Sequence, residues 1–146
     1  MTEGTILIVD DDHDLVKLLA GTLRNDYEQV VTIGNPERIN EMLRKMEVDV
    51  VIMETNYKSA VRNGNEGIFW LREILAFDST ISVVILTTYG DIDLAVRAIK
   101  EGAVDFIMKP WDSNRLLTTV RSAMHLRESR LEASSLKADN SQLKKV

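Results

Sequence analysis

The sequence predicts an α/β domain built on a doubly wound parallel sheet of five strands. Short apolar runs alternate five times with segments whose apolar residues recur at helical spacing. This alternation requires crossover connections, which place helices on both faces of a parallel sheet. Five such units in 146 residues match a flavodoxin-like sheet with the strand order 2-1-3-4-5.

The five strands are predicted from apolar runs that end in polar or turn-forming residues. They span residues 5–9, 29–33, 49–53, 81–86 and 104–108. The first four helices are predicted from apolar residues three and four positions apart, such as Leu15, Leu18 and Leu19. Asn35 and Pro36 suit the cap and first position of the second helix, and Gly102 suits the end of the fourth.

The fifth helix is predicted to start at Asp112 or Ser113 and to extend to the end of the chain. No proline or glycine interrupts residues 113–146, which as a helix would measure roughly 50 Å. We expect a globular domain at 1–127 and a coiled-coil-like linker at 128–146, leading to another domain beyond this sequence. The alternative is a solvated, fraying tail.

Composition narrows the possible functions. The net charge of −5 argues against a nucleic-acid surface. The absence of cysteine excludes disulfides and thiolate metal sites, and two histidines make a multi-histidine zinc site improbable. The sequence has no stretch suited to a membrane span and no signal peptide, which predicts a cytoplasmic protein.

Carboxylates follow two strands that should flank the point where strand order reverses. Asp10, Asp11 and Asp12 follow the first strand, and Glu54 follows the third. Ligands bind at this point in doubly wound sheets. Clustered carboxylates need a positive charge among them, which predicts Mg²⁺ or Mn²⁺.

Two further polar residues complete this predicted site. Thr87 and Lys109 end the fourth and fifth strands. A metal, a lysine and a hydroxyl together are suited to phosphoryl transfer onto an acid. Each residue alone has an ordinary explanation: Asp12 as a helix cap, Glu54 as a strand-end charge facing water, Thr87 as a loop hydroxyl and Lys109 as a surface charge.

The segments ILIVDDD, VVIMETN, VVILTT and DFIMKPW resemble the response-regulator receiver domain of two-component phosphorelays. The resemblance implies that Asp10 and Asp11 bind the metal, with Asp12 a less critical third acid. It also places Glu54 at the phosphoacceptor position and assigns the backbone carbonyl of Asn56 to the metal.

The same resemblance assigns the remaining parts of the switch. Thr87 is the switch hydroxyl, Phe106 the aromatic that turns inward with it, and Lys109 the lysine that pairs with the phosphate. The bond from Lys109 to Pro110 is expected to be cis. The implied role is signalling rather than enzymatic, since receivers catalyse only their own phosphoryl transfer.

The long final helix resembles receivers of nitrogen-regulatory, sigma-54-dependent activators. The resemblance implies a sensor histidine kinase as partner and homodimerisation through the receiver and its C-terminal helix. It also implies AAA+ ATPase and helix-turn-helix domains downstream, so that phosphorylation controls transcription through dimerisation.

Two departures from the receiver pattern alter these expectations. The acceptor is Glu54 in place of aspartate, and its extra methylene moves the carboxylate by about 1.5 Å, enough to impair phosphoryl transfer or to mimic its product. The loop 56–67 is longer than in typical receivers. It also lacks the proline that is usual shortly after the position of Asn56, where Tyr57 and Lys58 stand instead. Lys58 and Arg62 in this loop either shield the acids or are solvated.

Two alternative functions remain open on the sequence. One is a pseudo-receiver, a protein-interaction module that works without phosphorylation. The other is a haloacid-dehalogenase-like phosphatase, suggested by Asp10, Asp12, Thr87 and Lys109, although its other motifs do not match. A flavin-binding version of the fold is disfavoured by the acids and by the lack of a glycine-rich phosphate loop.

Overall fold

The computed structural model describes residues 2–57 and 65–144, with side chains as far as residue 136. Lys58 and Arg62, to which the sequence assigned a possible shielding role, lie outside the described residues. So do the last two residues of the predicted linker. All of the predicted site residues are described.

The sheet has the predicted five parallel strands in the order β2-β1-β3-β4-β5, which confirms the flavodoxin-like fold. The strands are β1 Thr2–Val9, β2 Tyr27–Ile33, β3 Val50–Glu54, β4 Ser82–Thr87 and β5 Asp105–Met108. β1 begins three residues before its predicted start, because Thr2 pairs with Tyr27 across an irregularity in the register.

Five α-helices connect and follow these strands. They are α1 His13–Leu23, α2 Ile39–Lys45, α3 Asn65–Phe77, α4 Ile92–Lys100 and α5 Ser113–Lys144. Asn35 caps as predicted, but it caps a single 3-10 turn, Pro36–Arg38, that leads into α2. The long final helix is confirmed as one continuous element.

Two apolar cores cover the two faces of the sheet. Alternate residues of β3 point to opposite faces, as the pleat requires. Val51 and Met53 join the core beneath α2, α3 and α4. Val50 and Ile52 join the core beneath α1 and α5. Because α1 and α5 share one face, the extended helix runs beside α1 and continues beyond the sheet.

Helix α4 is the most loosely buried of these elements. Its buried residues are Ala95 and Ala98. Ile92, Val96 and Ile99 lie on its outer side and are 36%, 46% and 39% exposed. These three residues predicted the helix correctly from their spacing, yet they form an apolar surface instead of contributing to the core.

Helix α5 is held at the amino ends of the strands by Arg127, whose side chain is 2% exposed. Its guanidinium lies 2.8 Å from Asp78, 3.3 Å from Asp49 and 3.4 Å from Glu47, and it also donates to the Thr80 hydroxyl. We call these five residues the Arg127 cluster. It fixes the point at which the helix leaves the domain.

No helix within the described part of the chain combines the length and apolar character needed to cross a bilayer.

Candidate functional site

The carboxyl ends of β1, β3 and β5 bring three predicted residues together. Val9 is paired with Met53, so the next residues, Asp10 and Glu54, are neighbours at the edge of the sheet. Lys109 follows β5 and reaches both carboxylates. Together with Asp11, these residues form what we call the acidic site, beside a cleft of about 250 Å³. The cleft is lined by Asp10, Asp11, Asp12, Leu15, Glu54, Asn56, Thr88, Asp91 and Lys109.

Lys109 forms ion pairs with the acids. It is not the exposed surface charge that its ordinary explanation predicted. Its Nζ lies 2.5 Å from Glu54 Oε2 and 3.0 Å from Asp10 Oδ2, and its side chain is 16% exposed. Burial acts to lower the pKa of Lys109, but hydrogen bonding and attraction to Glu54 and Asp10 outweigh it and raise that pKa. The lysine therefore stays charged and neutralises the pair.

Glu54 is not a strand-end charge facing water, since only 5% of the residue is exposed. Its Oε1 accepts hydrogen bonds from the amides of Thr55 at 2.9 Å and Asn56 at 3.2 Å, and from the Thr55 hydroxyl at 3.3 Å. Its Oε2 accepts from Lys109. Both oxygens of this carboxylate are therefore held by donors of the protein.

The three successive aspartates have different roles. Asp10 is 3% exposed, and its second oxygen, Oδ1, accepts from the Asp12 amide at 3.0 Å. Asp12 caps α1 by accepting from the Leu15 amide at 3.2 Å, as its ordinary explanation predicts. Asp11 lines the cleft. All three aspartates line the cleft, and Asp12 is in addition engaged as the cap of α1.

Thr87 and Phe106 lie behind the cleft and do not line it. Thr87 is fully buried, and its hydroxyl donates to the Thr88 carbonyl at 3.4 Å. Phe106 is partly buried against the core beneath α3 and α4. The hydroxyl that lines the cleft belongs to Thr88, which donates to Asp91 at 3.4 Å. The bond between Lys109 and Pro110 is cis.

Tyr57 is a residue near the site to which sequence reasoning gave no role. It is 1% exposed, and its hydroxyl donates to the Val9 carbonyl at 3.3 Å. Burial first, and then the nearby charges of Asp10 and Glu54, raise its pKa well above the usual value, so the hydroxyl remains a donor. The available signal was an aromatic residue, normally a core residue, in a stretch otherwise predicted to be a polar loop.

The cleft is chemically suited to a hard divalent cation. Asp10 and Asp11 supply carboxylate oxygens, and Mg²⁺ commonly takes one or two carboxylates and keeps several waters. Among residues 2–57 and 65–144, no three acidic or histidine side chains converge as a ready-made metal site. In this arrangement the Lys109 ammonium occupies the position between Asp10 and Glu54.

Comparison of sequences relates the chain to transcriptional regulators. The model of the response regulator receiver domain matches residues 6–121. The transcriptional regulatory protein ZraR of Klebsiella oxytoca is 34% identical over 119 residues, which cover 82% of this chain and 26% of that protein. The C4-dicarboxylate transport transcriptional regulatory protein DctD of Rhizobium meliloti is 32% identical, covering 91% and 28%. The chain thus spans about a quarter of the length of these relatives.

Solved structures agree with the sequence match. The N-terminal signal receiver domain of a Bacteroides fragilis two-component response regulator is 42% identical with a TM-score of 0.77, covering 84% of this chain and 98% of that one. NtrX of Brucella abortus is 27% identical with a TM-score of 0.82, covering 92% and 30%. The receiver resemblance is confirmed, and the dehalogenase-like alternative assigned the wrong family. The chain belongs to the response regulator receiver domain family.

Proposed function

We propose that this receiver works in a phosphorelay with Glu54 standing in for a phosphorylated aspartate. The observation that carries the proposal is the set of donors around the Glu54 carboxylate. It accepts from the Lys109 ammonium at 2.5 Å and from the amides of Thr55 and Asn56. A phosphoryl group on a shorter aspartate would need donors of this kind, a cation and backbone amides, at this distance from the strand.

Charge and length both support a partial mimic. The extra methylene of glutamate extends the carboxylate by about 1.5 Å, toward the place where phosphoryl oxygens would lie. Its charge of −1 is smaller than the roughly −1.5 to −2 of a phosphoryl group. Because its lone pairs are already engaged by Lys109 and by backbone amides, Glu54 is a poor nucleophile in this arrangement.

Mg²⁺ or Mn²⁺ belongs to the proposal as the ion of the acidic site. Its predicted ligands are Asp10, Asp11, Glu54 and the Asn56 carbonyl. When bound, the ion supplies positive charge beside the acceptor. Asp10 and Asp11 line the cleft and are the ligands best supported, whereas Glu54 would have to share an oxygen with its present donors.

We further propose that the receiver controls an output domain through homodimerisation. The apolar outer side of α4, formed by Ile92, Val96 and Ile99, offers a surface for a second copy. Helix α5 continues beyond the sheet, and Leu131 and Leu136 on its extension are 37% and 58% exposed. The proposed partners are a sensor histidine kinase and, within the full-length protein, AAA+ and DNA-binding domains.

A phosphorylation-independent pseudo-receiver is the second candidate function. The position of Thr87 favours it, because this residue, which carries the predicted switch hydroxyl, is fully buried, does not line the cleft, and donates to the Thr88 carbonyl. In this case Glu54 and Lys109 form a fixed structural pair, and the chain serves as a protein-interaction module.

The test compares the natural chain with Glu54→Asp and Glu54→Gln. We expect no phosphoryl uptake by the natural chain from a small phosphodonor with Mg²⁺, measured by intact mass, and dimers in sedimentation. Glu54→Asp should take up one phosphoryl group and dimerise only after doing so, while the neutral Glu54→Gln should be monomeric. Glu28→Asp, on the exposed side of β2, is the matched control.

Each alternative result contradicts a different part of the proposal. Stable labelling of Glu54 in the natural chain would rule out mimicry. Phosphodonor-resistant Glu54→Asp with unchanged dimerisation would favour the pseudo-receiver.

A further inference from the structure

The segment from Glu54 to Tyr57 is held by contacts on two sides, and neither contact involves a residue assigned to the site. One contact is with the first turn of α3, at Gly67. The other is with the end of β1, at the carbonyl of Val9. The amides within this segment are the ones that bind the Glu54 carboxylate.

The contact with α3 depends on the absence of a side chain at Gly67. A Cβ built on this residue would lie 2.5 Å from Thr55 Cα, 2.6 Å from Thr55 O and 2.9 Å from Thr55 C. All three are backbone atoms, so no side-chain rotation can relieve the overlap. A methyl group at this position must therefore shift the main chain of Thr55 or the first turn of α3.

The contact with β1 is a single hydrogen bond in a buried setting. The Tyr57 hydroxyl donates to Val9 O at 3.3 Å, and Val9 is the residue directly before Asp10. The bond therefore ties the end of the Glu54 segment to the strand that presents Asp10. The pairing of Val9 with Met53 makes Asp10 and Glu54 neighbours, and the two contacts restrain the backbone of residues 55–57, whose first two amides bind the Glu54 carboxylate.

We propose that Gly67 and Tyr57 are positioning residues that fix the acceptor carboxylate against Lys109. The inference concerns the acidic site, and its importance for phosphoryl transfer rests on the proposed function. A displacement of about 1 Å at a reacting centre commonly costs a hundredfold in rate. The overlap at Gly67 is of that size, since ordinary contacts begin near 3.4 Å.

The test uses two substitutions, each with a matched control. Gly67→Ala is compared with Gly21→Ala, at a glycine within α1 where an added Cβ has nothing within 4 Å. Tyr57→Phe is compared with Tyr27→Phe, at a second buried tyrosine that lies at the start of β2. Tyr57→Phe removes one hydroxyl and keeps the ring, so it preserves packing even if Gly67→Ala does not fold.

The first readout requires no phosphorylation. We expect Gly67→Ala and Tyr57→Phe to shift the NMR amide proton signals of Thr55 and Asn56, because these protons are hydrogen-bonded to Glu54. Both controls should leave these signals in place. The inference is overturned if Tyr57→Phe leaves them unmoved, or if the controls move them equally.

The second readout is made in the Glu54→Asp background. There we expect Gly67→Ala to slow phosphoryl uptake roughly tenfold to a hundredfold, and Tyr57→Phe roughly tenfold, with little change in the donor concentration giving half-maximal rate. Unchanged rates overturn the assignment of both residues. If Glu54→Asp takes up no phosphoryl group, the proposed function fails separately, and the amide signals still decide whether the two residues position Glu54.

Discussion

The two ends of the sheet hold the same kind of charge cluster with the buried partner reversed. At the carboxyl end the acids are the more deeply buried partners: the side chains of Asp10 and Glu54 are 2% and 7% exposed, and that of Lys109 is 16% exposed. At the amino end the cation is the more deeply buried partner: the side chain of Arg127 is 2% exposed, while that of Asp78 is 32% exposed. Losing the cation therefore has a different consequence at each end.

Burial determines which charges remain without compensation. Without Lys109, two carboxylates that water scarcely reaches would face each other, and a buried unpaired charge is costly. Without Arg127, its acids would regain water, since Asp49, Asp78 and Glu47 are 18%, 32% and 77% exposed. An added cation should therefore stabilise the fold more at the carboxyl end of the sheet than at the amino end.

The largest effect is expected for Lys109→Met, which keeps most of the apolar stem and removes the charge. We expect the free energy of unfolding in urea to fall by about 3 kcal/mol without divalent metal, since the partners left behind are buried. Mg²⁺ should restore part of this loss, because an ion at Asp10 and Asp11 replaces the missing charge.

The control for this change is Lys45→Met, at a lysine that is 63% exposed and paired with Glu41. It should lower the free energy of unfolding far less than Lys109→Met does and show no added response to Mg²⁺. If Mg²⁺ stabilises Lys109→Met no more than the natural chain, the acidic site does not exchange one cation for another.

Arg127→Met is expected to have the second largest effect, a loss of about 2 kcal/mol in the same urea measurement. The reason is the loss of several charged hydrogen bonds, offset by rehydration of the acids. Mg²⁺ should give this variant no more protection than it gives the natural chain. The exposed Arg121→Met serves as the control, and a specific rescue of Arg127→Met by Mg²⁺ would remove the distinction between the two ends.

The strand-end acids and Lys109 were predictable because parallel strands bring their carboxyl ends to one edge of a sheet. Their contacts were not predictable, since the choice of partners for Glu54 depends on the path of residues 55 and 56. The burial of Arg127 could not be predicted from the sequence, because an arginine in a long polar helix ordinarily faces water. Its buried position follows from partners that precede β3 and β4, far from it in sequence.

Gly67 is a residue whose structural role the sequence indicates only weakly. A glycine inside a helix costs about 1 kcal/mol relative to alanine, so its presence in the first turn of α3 indicates either a close contact or a special backbone. The sequence analysis placed Gly67 at the end of the loop 56–67, whereas the structure includes it in the first turn of α3. The structure shows a close contact, because the backbone of Thr55 occupies the space that a side chain would need.

The pH dependence of the free energy of unfolding provides a further test of the Arg127 cluster. Burial acts to raise the pKa of Asp78, but hydrogen bonds from Thr80 and Arg127 outweigh it and leave the pKa below its usual value. A lowered folded-state pKa stabilises the fold above the unfolded value near 3.9, and this contribution is lost as pH falls below about 4.

We therefore expect Asp78→Asn to weaken the fold at pH 7 by about 1 kcal/mol and to lose less stability than the natural chain between pH 4 and pH 2. Urea unfolding at a series of pH values measures both. Glu28→Gln, at an exposed position of β2, should leave the pH profile unchanged. Parallel profiles for Asp78→Asn and the natural chain would mean that the Arg127 cluster does not depend on the charge of Asp78.

The smallest effect is expected where a similar ion pair lies on the surface. Arg72 on α3 donates twice to Glu101, at 2.9 and 2.8 Å, and so joins α3 to the end of α4. These side chains are 59% and 31% exposed, so water and salt screen the pair despite its good geometry. Arg72→Gln should lower the free energy of unfolding only slightly at low salt, by less than Arg127→Met or Asp78→Asn, and the difference should vanish near 1 M salt. A loss as large as that of Arg127→Met would mean that geometry, rather than burial of one partner, determines the strength of all three clusters.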